Sequence, residues 1–375
     1  MKTPAALARP LLAAAAATPA ALALRHGERH WSFAELVAET RALAAGLAGE
    51  AAPLCLYGNS LALAQHAYAC GFENRPFFPV DRDNRPDFPA TRPDDLALII
   101  ATSGSEGQAR CVMLGSRQLD AAALAANRLL ALGPGDLWLN CLPLYHIGGQ
   151  AILWRCAHAG AAVLLHEGFA AEAVAADLAH HAVTHLSLVP AMLARLLDTG
   201  AKPPPSLRHV LIGGAALAPA LYERATAAGW PLNPSYGMSE TAAQIATWLP
   251  EKGAWQPGAV GRPMPGHEIA LTADGRIRIR GPQVMIAYLD DRGVDAEGWF
   301  TTGDLGHIDQ DGCLTVLGRA DDMLISGGRN VHPLTIEACL AACPGVDDIA
   351  VTGLPDPVWG DLIVALVVGP ADLAS

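Results

Sequence analysis

The feature that most constrains this chain is an alternation of short apolar runs, each about one strand long, with stretches of helical spacing. The runs are Pro53–Tyr57, Leu96–Ala101, Asp136–Leu142, Ala161–Leu165, Thr184–Val189 and His209–Ile212. Near-continuous apolar runs belong to strands buried on both faces, and the intervening helices supply the cover. The expected fold class is α/β, with a large domain of mainly parallel sheets covered by helices. In such sheets ligands gather at the loops that follow the carboxyl ends of the strands.

Local signals agree with that frame. Ala21–Leu24 and His30-Trp31 read as two strands joined by a tight turn at Arg25–Arg29. Ser32 with Glu35 three residues on is a capping box, which predicts a helix from Phe33 through Leu47. After about Trp255 the texture changes to short strands and turns, as in Glu268–Leu271, Asp274-Gly275 and Arg276–Arg280, which predicts a β-rich subdomain. A further helix is expected near Pro333, with strands at Ile349–Thr352 and Leu362–Val368.

Composition narrows the function classes. The 375 residues can bury a real core, and the charge balance is acidic, with 37 Asp and Glu against 25 Lys and Arg. A chain of net charge −12 lacks the clustered cations that nucleic acid or an anionic membrane demands, so neither is an expected partner. Any phosphate must then be held by local geometry. Only Lys2, Lys202 and Lys252 are lysines; every other basic residue is arginine. Cys55, Cys70, Cys111, Cys141, Cys156, Cys313, Cys339 and Cys343 form no Cys-x-x-Cys pair and read as buried thiols of a reducing compartment. The run Pro10–Leu24 has the look of a secretory signal, but Thr18-Pro19 interrupts it. An opening amphipathic helix and a cytoplasmic location are the expectation.

Several strings carry possible chemistry. Leu98–Ala101 runs into Thr102-Ser103-Gly104-Ser105-Glu106-Gly107-Gln108-Ala109-Arg110, a strand followed by a hydroxyl- and glycine-rich loop that ends in a cation. Such a loop can wrap N–H groups and hydroxyls around a polyphosphate, although the same string also fits a polar loop after a buried strand. It is not a Walker A motif. Asn233–Thr241 combines Tyr236, a flat ring able to stack on a base, with Gly237, Met238, Ser239 and Glu240, whose carboxylate suits Mg²⁺. Ile212-Gly213-Gly214-Ala215-Ala216 leaves bare backbone against which a ring could lie. Trp299–Asp304, Gly318–Asp322 and Ile325–Asn330 add a turn carboxylate, an arginine after a strand and a glycine-rich turn.

In this order the motifs resemble those of the AMP-forming acyl-adenylating superfamily. Thr102–Arg110 is similar to its phosphate loop, Pro143-Leu144-Tyr145-His146 to its acyl-pocket segment, and Tyr236–Glu240 to its adenine and Mg²⁺ motif. Thr302-Gly303-Asp304 resembles its ribose motif, and Gly318–Glu337 its hinge and the start of its small domain. Pro143–Arg155, Ser187–Pro190 and Gly213–Ala216 resemble the o-succinylbenzoate-CoA ligases most, and the hinge equally resembles the benzoate and chlorobenzoate CoA ligases.

The resemblance implies ATP, Mg²⁺ and coenzyme A acting on a small carboxylic acid. The acid forms acyl-AMP with release of pyrophosphate, and the CoA thiol then displaces AMP. It implies that Thr102, Ser103, Ser105 and Arg110 hold the β- and γ-phosphates, with Gly104 and Gly107 in the same loop. Tyr236, Gly237 and Met238 would meet adenine, with Gly213, Gly214 and Ala215 beside it. Ser239 would contact the α-phosphate, Glu240 Mg²⁺, Asp304 the ribose, and Arg319 the ribose or a phosphate. His146 would stand between the acyl site and the thiol path. Asp321 would be the hinge between a large domain of residues 1–320 and a shortened small domain of residues 321–375, and the Ser326–Asn330 loop would approach the CoA arm.

Three departures qualify what is implied. The loop ends in Ala109-Arg110-Cys111 where the family has Pro-Lys-Gly, Glu106 replaces a hydroxyl residue, and no lysine follows Lys252. The alternatives are a nucleotide- or acyl-adenylate-binding protein with little adenylation activity, and a ligase that acts on a carrier protein. A homodimer is the assembly to test.

Overall fold

A computed structural model describes residues 6–81, 88, 93–102, 110–250, 253–290, 293–340, 343, 345–346 and 348–369. The chain opens with helix α1 (Ala8–Ala17), strands β1 (Leu22–His26) and β2 (Arg29–Ser32), and helix α2 (Phe33–Ala45). Both halves of the Ser32/Glu35 capping box are present. Strand β3 (Leu54–Tyr57), helix α3 (Ser60–Glu73) and strands β4 (Phe77–Val80), β5 (Leu96–Thr102) and β6 (Arg110–Gly115) follow. Asn59 caps α3 through its side chain, and Asn74 ends it in the left-handed conformation. β3, β4 and β5 are parallel, whereas β6 turns back antiparallel on β5.

The next stretch is the alternation visible in the sequence: α4 (Ser116–Leu129), β7 (Leu137–Asn140), α5 (Ile147–Ala159), β8 (Ala162–Leu165), α6 (Ala171–His180) and β9 (His185–Leu188). It continues with α7 (Pro190–Asp198), β10 (His209–Ile212), α8 (Pro219–Ala227), β11 (Leu232–Met238), a 3₁₀ turn at Ser239–Thr241 and β12 (Ala243–Thr247). β7 to β11 pair in parallel, and all four residues of β7, β8 and β9 are buried, as double-sided cover requires. β12 reverses direction on β11.

Beyond Trp255 come β13 (Ala259–Pro263), β14 (Glu268–Leu271), β15 (Arg276–Arg280), β16 (Ala287–Tyr288), β17 (Phe300–Ile308) and β18 (Leu314–Arg319). The β-rich portion is therefore present, but it is not a sheet apart. β13 pairs with β12 and β18, so the parallel strands and the β-rich strands form one thirteen-stranded sheet. β16 crosses instead to β6 and completes a five-stranded sheet. The chain finishes with β19 (Leu324–Ser326), β20 (Arg329–Val331), α9 (Pro333–Leu340), β21 (Asp348–Asp356) and β22 (Gly360–Val368), whose strands form a separate four-stranded sheet.

Two details correct or extend the sequence expectations. Only Cys70, Cys141 and Cys156 are buried; Cys339 and Cys343 are exposed and Cys55, Cys111 and Cys313 lie between, all as free thiols. The residues carrying Cys339 and Cys343 belong to the thinly covered final unit, which buries little. Among the described residues, no helix is long and apolar enough to cross a membrane.

Inside the large sheet, His185 is only 1% exposed. Its Nε2 donates to the Leu130 carbonyl at 3.0 Å, its Nδ1 faces the Thr184 hydroxyl at 2.8 Å, and its ring stacks on Trp138. Burial lowers its pKa to about 4 from the ordinary 6.5. Between those values the unfolded chain takes up a proton that the folded chain refuses, so stability falls as pH drops from 6.5 to 4. The full loss is roughly 3 kcal/mol. Urea unfolding of His185→Asn should show a shallower decline than the parent across this window; parallel declines would refute the assignment.

Candidate active site

Strands β9, β10 and β11 end side by side, and the residues just past their carboxyl ends line a cavity of about 2120 Å³. Val189, Gly213–Ala216 and Ser239-Glu240 form this wall, as the strand-end rule predicts. Residues of all five motifs line this one cavity.

One side is built around Tyr236. Its ring is 9% exposed, and its hydroxyl donates to Asp304 Oδ2 at 2.6 Å. Burial, reinforced by the Asp304 carboxylate, holds the phenol pKa well above its usual value, so the group stays a donor. Asp304 stands opposite Arg319 in the β17–β18 ladder, with Arg319 Nη1 3.7 Å from Asp304 Oδ1 and Nη2 3.5 Å from Asp321 Oδ2. The backbone stays bare where a flat ligand would need it. A side chain on Gly213 would meet Ser235 Oγ at 3.0 Å, and Gly214 has φ +80°. Gly237 tolerates nothing larger, since a Cβ there would lie 2.1 Å from the Ala243 carbonyl oxygen.

The second side joins Thr102, Arg110, Glu240 and Tyr288. Thr102 and Arg110 face each other across the β5–β6 ladder, with Thr102 Oγ1 donating to the Arg110 carbonyl at 3.2 Å. Ser103, Gly104, Ser105, Glu106 and Gly107 lie outside the described residues. The Arg110 guanidinium carbon sits 3.4 Å from the centre of the Tyr288 ring, and the Tyr288 hydroxyl donates to Glu240 Oε1 at 2.7 Å. The flat guanidinium suits that stack, which is a physical reason for arginine rather than lysine at the loop's end. Among the described residues no group of three or more His, Cys, Asp or Glu side chains could hold a metal ion. A single cavity-lining carboxylate fits Mg²⁺ all the same, because that ion takes one or two carboxylates and completes its shell with substrate phosphates and water.

The third side is the start of α5. A Cβ on Gly149 would lie 2.5 Å from the Pro143 carbonyl oxygen, so only a glycine lets the helix close onto that turn. Gln150 Nε2 donates to the Leu144 carbonyl and Asn140 Nδ2 to that of Gly149, fixing the turn further. His146 sits at the N-cap with its ring 4.7 Å from that of Tyr145. Its side chain faces the cavity, yet the surrounding protein disfavours the charged ring and lowers its pKa, against an opposing pull from Asp81.

Two turns along α5 is a residue that sequence reasoning quoted but did not assign. Arg155 is 4% exposed and lines the cavity, its guanidinium carbon 5.3 Å from the centre of the Trp138 ring. Its Nε has no hydrogen-bond partner, and among the described residues it forms no ion pair. Burial lowers its pKa to about 10 from 12.5, which leaves it charged at neutral pH. A buried cation with an unpaired Nε beside a cavity suits an anion. Its signal was one charged residue in an otherwise apolar helix.

The final unit also reaches the cavity through Asp321, Leu324, His332 and Glu337. The Ser326–Asn330 turn does not line it, so the structure leaves that part of the expected set apart from the rest.

A mixed sheet whose strand ends gather an aromatic–carboxylate pair, a second carboxylate and an arginine around one cavity defines an α/β protein with a strand-end site. The chain belongs to the AMP-binding enzyme family, whose model matches residues 53–289, and residues 335–374 match the AMP-binding enzyme C-terminal domain. Among proteins it resembles, the 2-succinylbenzoate–CoA ligase of Bacillus velezensis is 37% identical over 297 residues, 75% of this chain and 61% of that one. The chain spans about three fifths of the length of the curated relatives it matches. Its fold superposes on the Bacillus subtilis o-succinylbenzoate CoA synthetase MenE in complex with the acyl-adenylate intermediate OSB-AMP. The TM-score is 0.85 at 28% identity, covering 97% of this chain and 89% of that one. The same synthetase in complex with ATP and magnesium ion gives a TM-score of 0.84 at 26% identity, covering 97% and 90%.

Proposed function

We propose that this chain activates a small carboxylic acid with ATP, forming acyl-AMP and pyrophosphate, and passes the acyl group to the thiol of coenzyme A. The observation that carries this reading is the convergence of five separated motifs on one cavity. In it Tyr236 and Asp304 take the adenosine, with Gly213–Ala215, Gly237 and Met238 leaving room for the base. Thr102 and Arg110 take the outer phosphates together with Ser103, Gly104, Ser105 and Gly107, and Ser239 takes the α-phosphate. Glu240 holds Mg²⁺, which when bound neutralises charge on the phosphates. Arg319 steadies Asp304, and Asp321 serves as the hinge between a large domain to residue 320 and a small one from residue 321. His146, uncharged at neutral pH, borders the thiol path.

The acid itself is an o-succinylbenzoate-like dicarboxylate: one carboxylate reacts, and the second meets Arg155. Arg155→Leu should raise KM for a dicarboxylic substrate about a hundredfold while leaving a monocarboxylic aryl acid within a few-fold, as charge-assisted hydrogen bonds are lost. Equal losses on both acids would refute the Arg155 role.

The test of the whole reading is acid-dependent pyrophosphate release across a panel of aryl and short acyl acids, paired with thioester formation from synthetic acyl-AMP and CoA. No release with any acid at high enzyme would overturn adenylation. Thioester formation without release would favour the adenylate-binding alternative. Substituting a carrier protein for CoA in the same assay discriminates the acceptors. A homodimer and a cytoplasmic location are parts of this proposal read by sedimentation and fractionation.

A further inference from the structure

Tyr288 lies outside every motif recognised in the sequence, on a strap that grips the site from behind. Gln283, wholly buried, donates from Nε2 to the carbonyls of Thr241 at 2.7 Å and Gln244 at 2.6 Å. The Met285 amide donates to the Glu240 carbonyl at 2.8 Å. The strap then joins β6, with the Ile286 amide on the Met113 carbonyl and the Leu289 amide on that of Cys111. Thus one nine-residue run, 281–289, is tied both to the turn that carries Glu240 and to the strand that begins with Arg110.

We infer that Tyr288 is a positioning residue that sets the Glu240 carboxylate and the Arg110 guanidinium at one fixed separation, so that a metal ion and the outer phosphates of a nucleotide are received together. The inference rests on the nucleotide reading above. The geometry is specific: the 4%-exposed phenol donates to Glu240 Oε1 at 2.7 Å, while Arg110 lies over the ring at 3.4 Å. The hydroxyl holds one carboxylate oxygen in place, and the Glu240 carboxylate would hold a metal ion from that fixed position. The ring face, meanwhile, holds the guanidinium by cation–π attraction.

The test is nucleotide binding by titration calorimetry, with Mn²⁺ paramagnetic resonance as a direct readout of the metal. Tyr288→Phe keeps the ring under Arg110 and removes only the hydroxyl. It should weaken Mg·ATP and Mn·ATP about tenfold, the loss expected for a hydrogen bond to a charged group, while metal-free ATP and AMP stay within twofold. Tyr288→Leu should in addition weaken metal-free ATP. In a Glu240→Ala background, which removes the acceptor, the Tyr288→Phe effect should vanish, since the two act through one contact. Equal affinities of wild type and Tyr288→Phe for Mg·ATP would overturn the inference and leave the nucleotide reading standing. Parallel losses for AMP and Mg·ATP would also overturn it, as the mark of a merely structural role. A wild type that binds no Mg·ATP would overturn both.

Discussion

Glu240→Ala is expected to lower acid-dependent pyrophosphate release by about 10²–10³-fold, the scale seen when a preorganised charge-stabilising group is removed from a site. The argument starts from what surrounds the phosphates. The cavity offers Arg110, Arg155, Arg276 and Arg319 as cations, but no cluster of acidic or imidazole ligands is available among the described residues to recruit a metal in Glu240's place. Its turn is held by the Met285 amide, the Thr241 hydroxyl bonds and Gln283, so no neighbour can swing in to replace it without dismantling the turn. AMP, which lacks the outer phosphates, should bind the variant within a few-fold of wild type. The variant also strands the Tyr288 hydroxyl in a buried position, at a cost to stability of about 1–3 kcal/mol. Release at near wild-type rate from a folded variant would remove Glu240 from the proposed chemistry.

Gly237→Ala is expected to do more damage with less chemistry. The added methyl would sit 2.1 Å from the Ala243 carbonyl oxygen and 2.5 Å from Gln244 Cα, and neither is a side chain that can rotate away. The pairing of β11 with β12 already shifts register between Tyr236 and Gly237, so strain added there must open the hairpin. Overpacking against backbone should destabilise by about 3 kcal/mol or more. It should also abolish nucleotide binding, because the same hairpin carries Tyr236 at one end and leads into Glu240 at the other. Gly133→Ala is the control: nothing lies within 4 Å of a Cβ at that position. Thermal unfolding and AMP binding of both variants check the point. A Gly237→Ala protein as stable and as nucleotide-competent as the control would refute it.

Much of this was legible in the sequence because the signals are local. β10 spans His209–Ile212 as its apolar run does, and the Ser32 box starts α2 where the residues place it. β14 and β15 match their runs on either side of the Asp274-Gly275 turn. Strands that failed to announce themselves did so for physical reasons. β4 reads Phe-Phe-Pro-Val, with a proline that argues against an inner strand, and β12 is short and small-sided between polar residues. The continuity of the thirteen-stranded sheet rests on the β12–β13 pairing, which no periodicity encodes.

The site divides in the same way. Tyr236, Asp304, Arg319 and Glu240 were found as motif residues, and the structure brings them to one cavity. Tyr288 was not, because its meaning depends on a carboxylate 48 residues away. Arg155 was quoted only as part of a segment. Helical spacing shows that a charge falls among apolar neighbours, but only the fold shows that it lines the cavity.

The β5–β6 hairpin has a bearing on how such a site can diversify. Thr102 and Arg110 are cross-strand neighbours, bonded through the threonine hydroxyl, so the sheet itself fixes how these two cavity-lining residues stand to each other. The positions of these two groups are therefore set by the ladder beneath them, as neighbours on adjoining strands. Exchanging either side chain would change what the cavity wall offers while the backbone bonds between β5 and β6 stay in register.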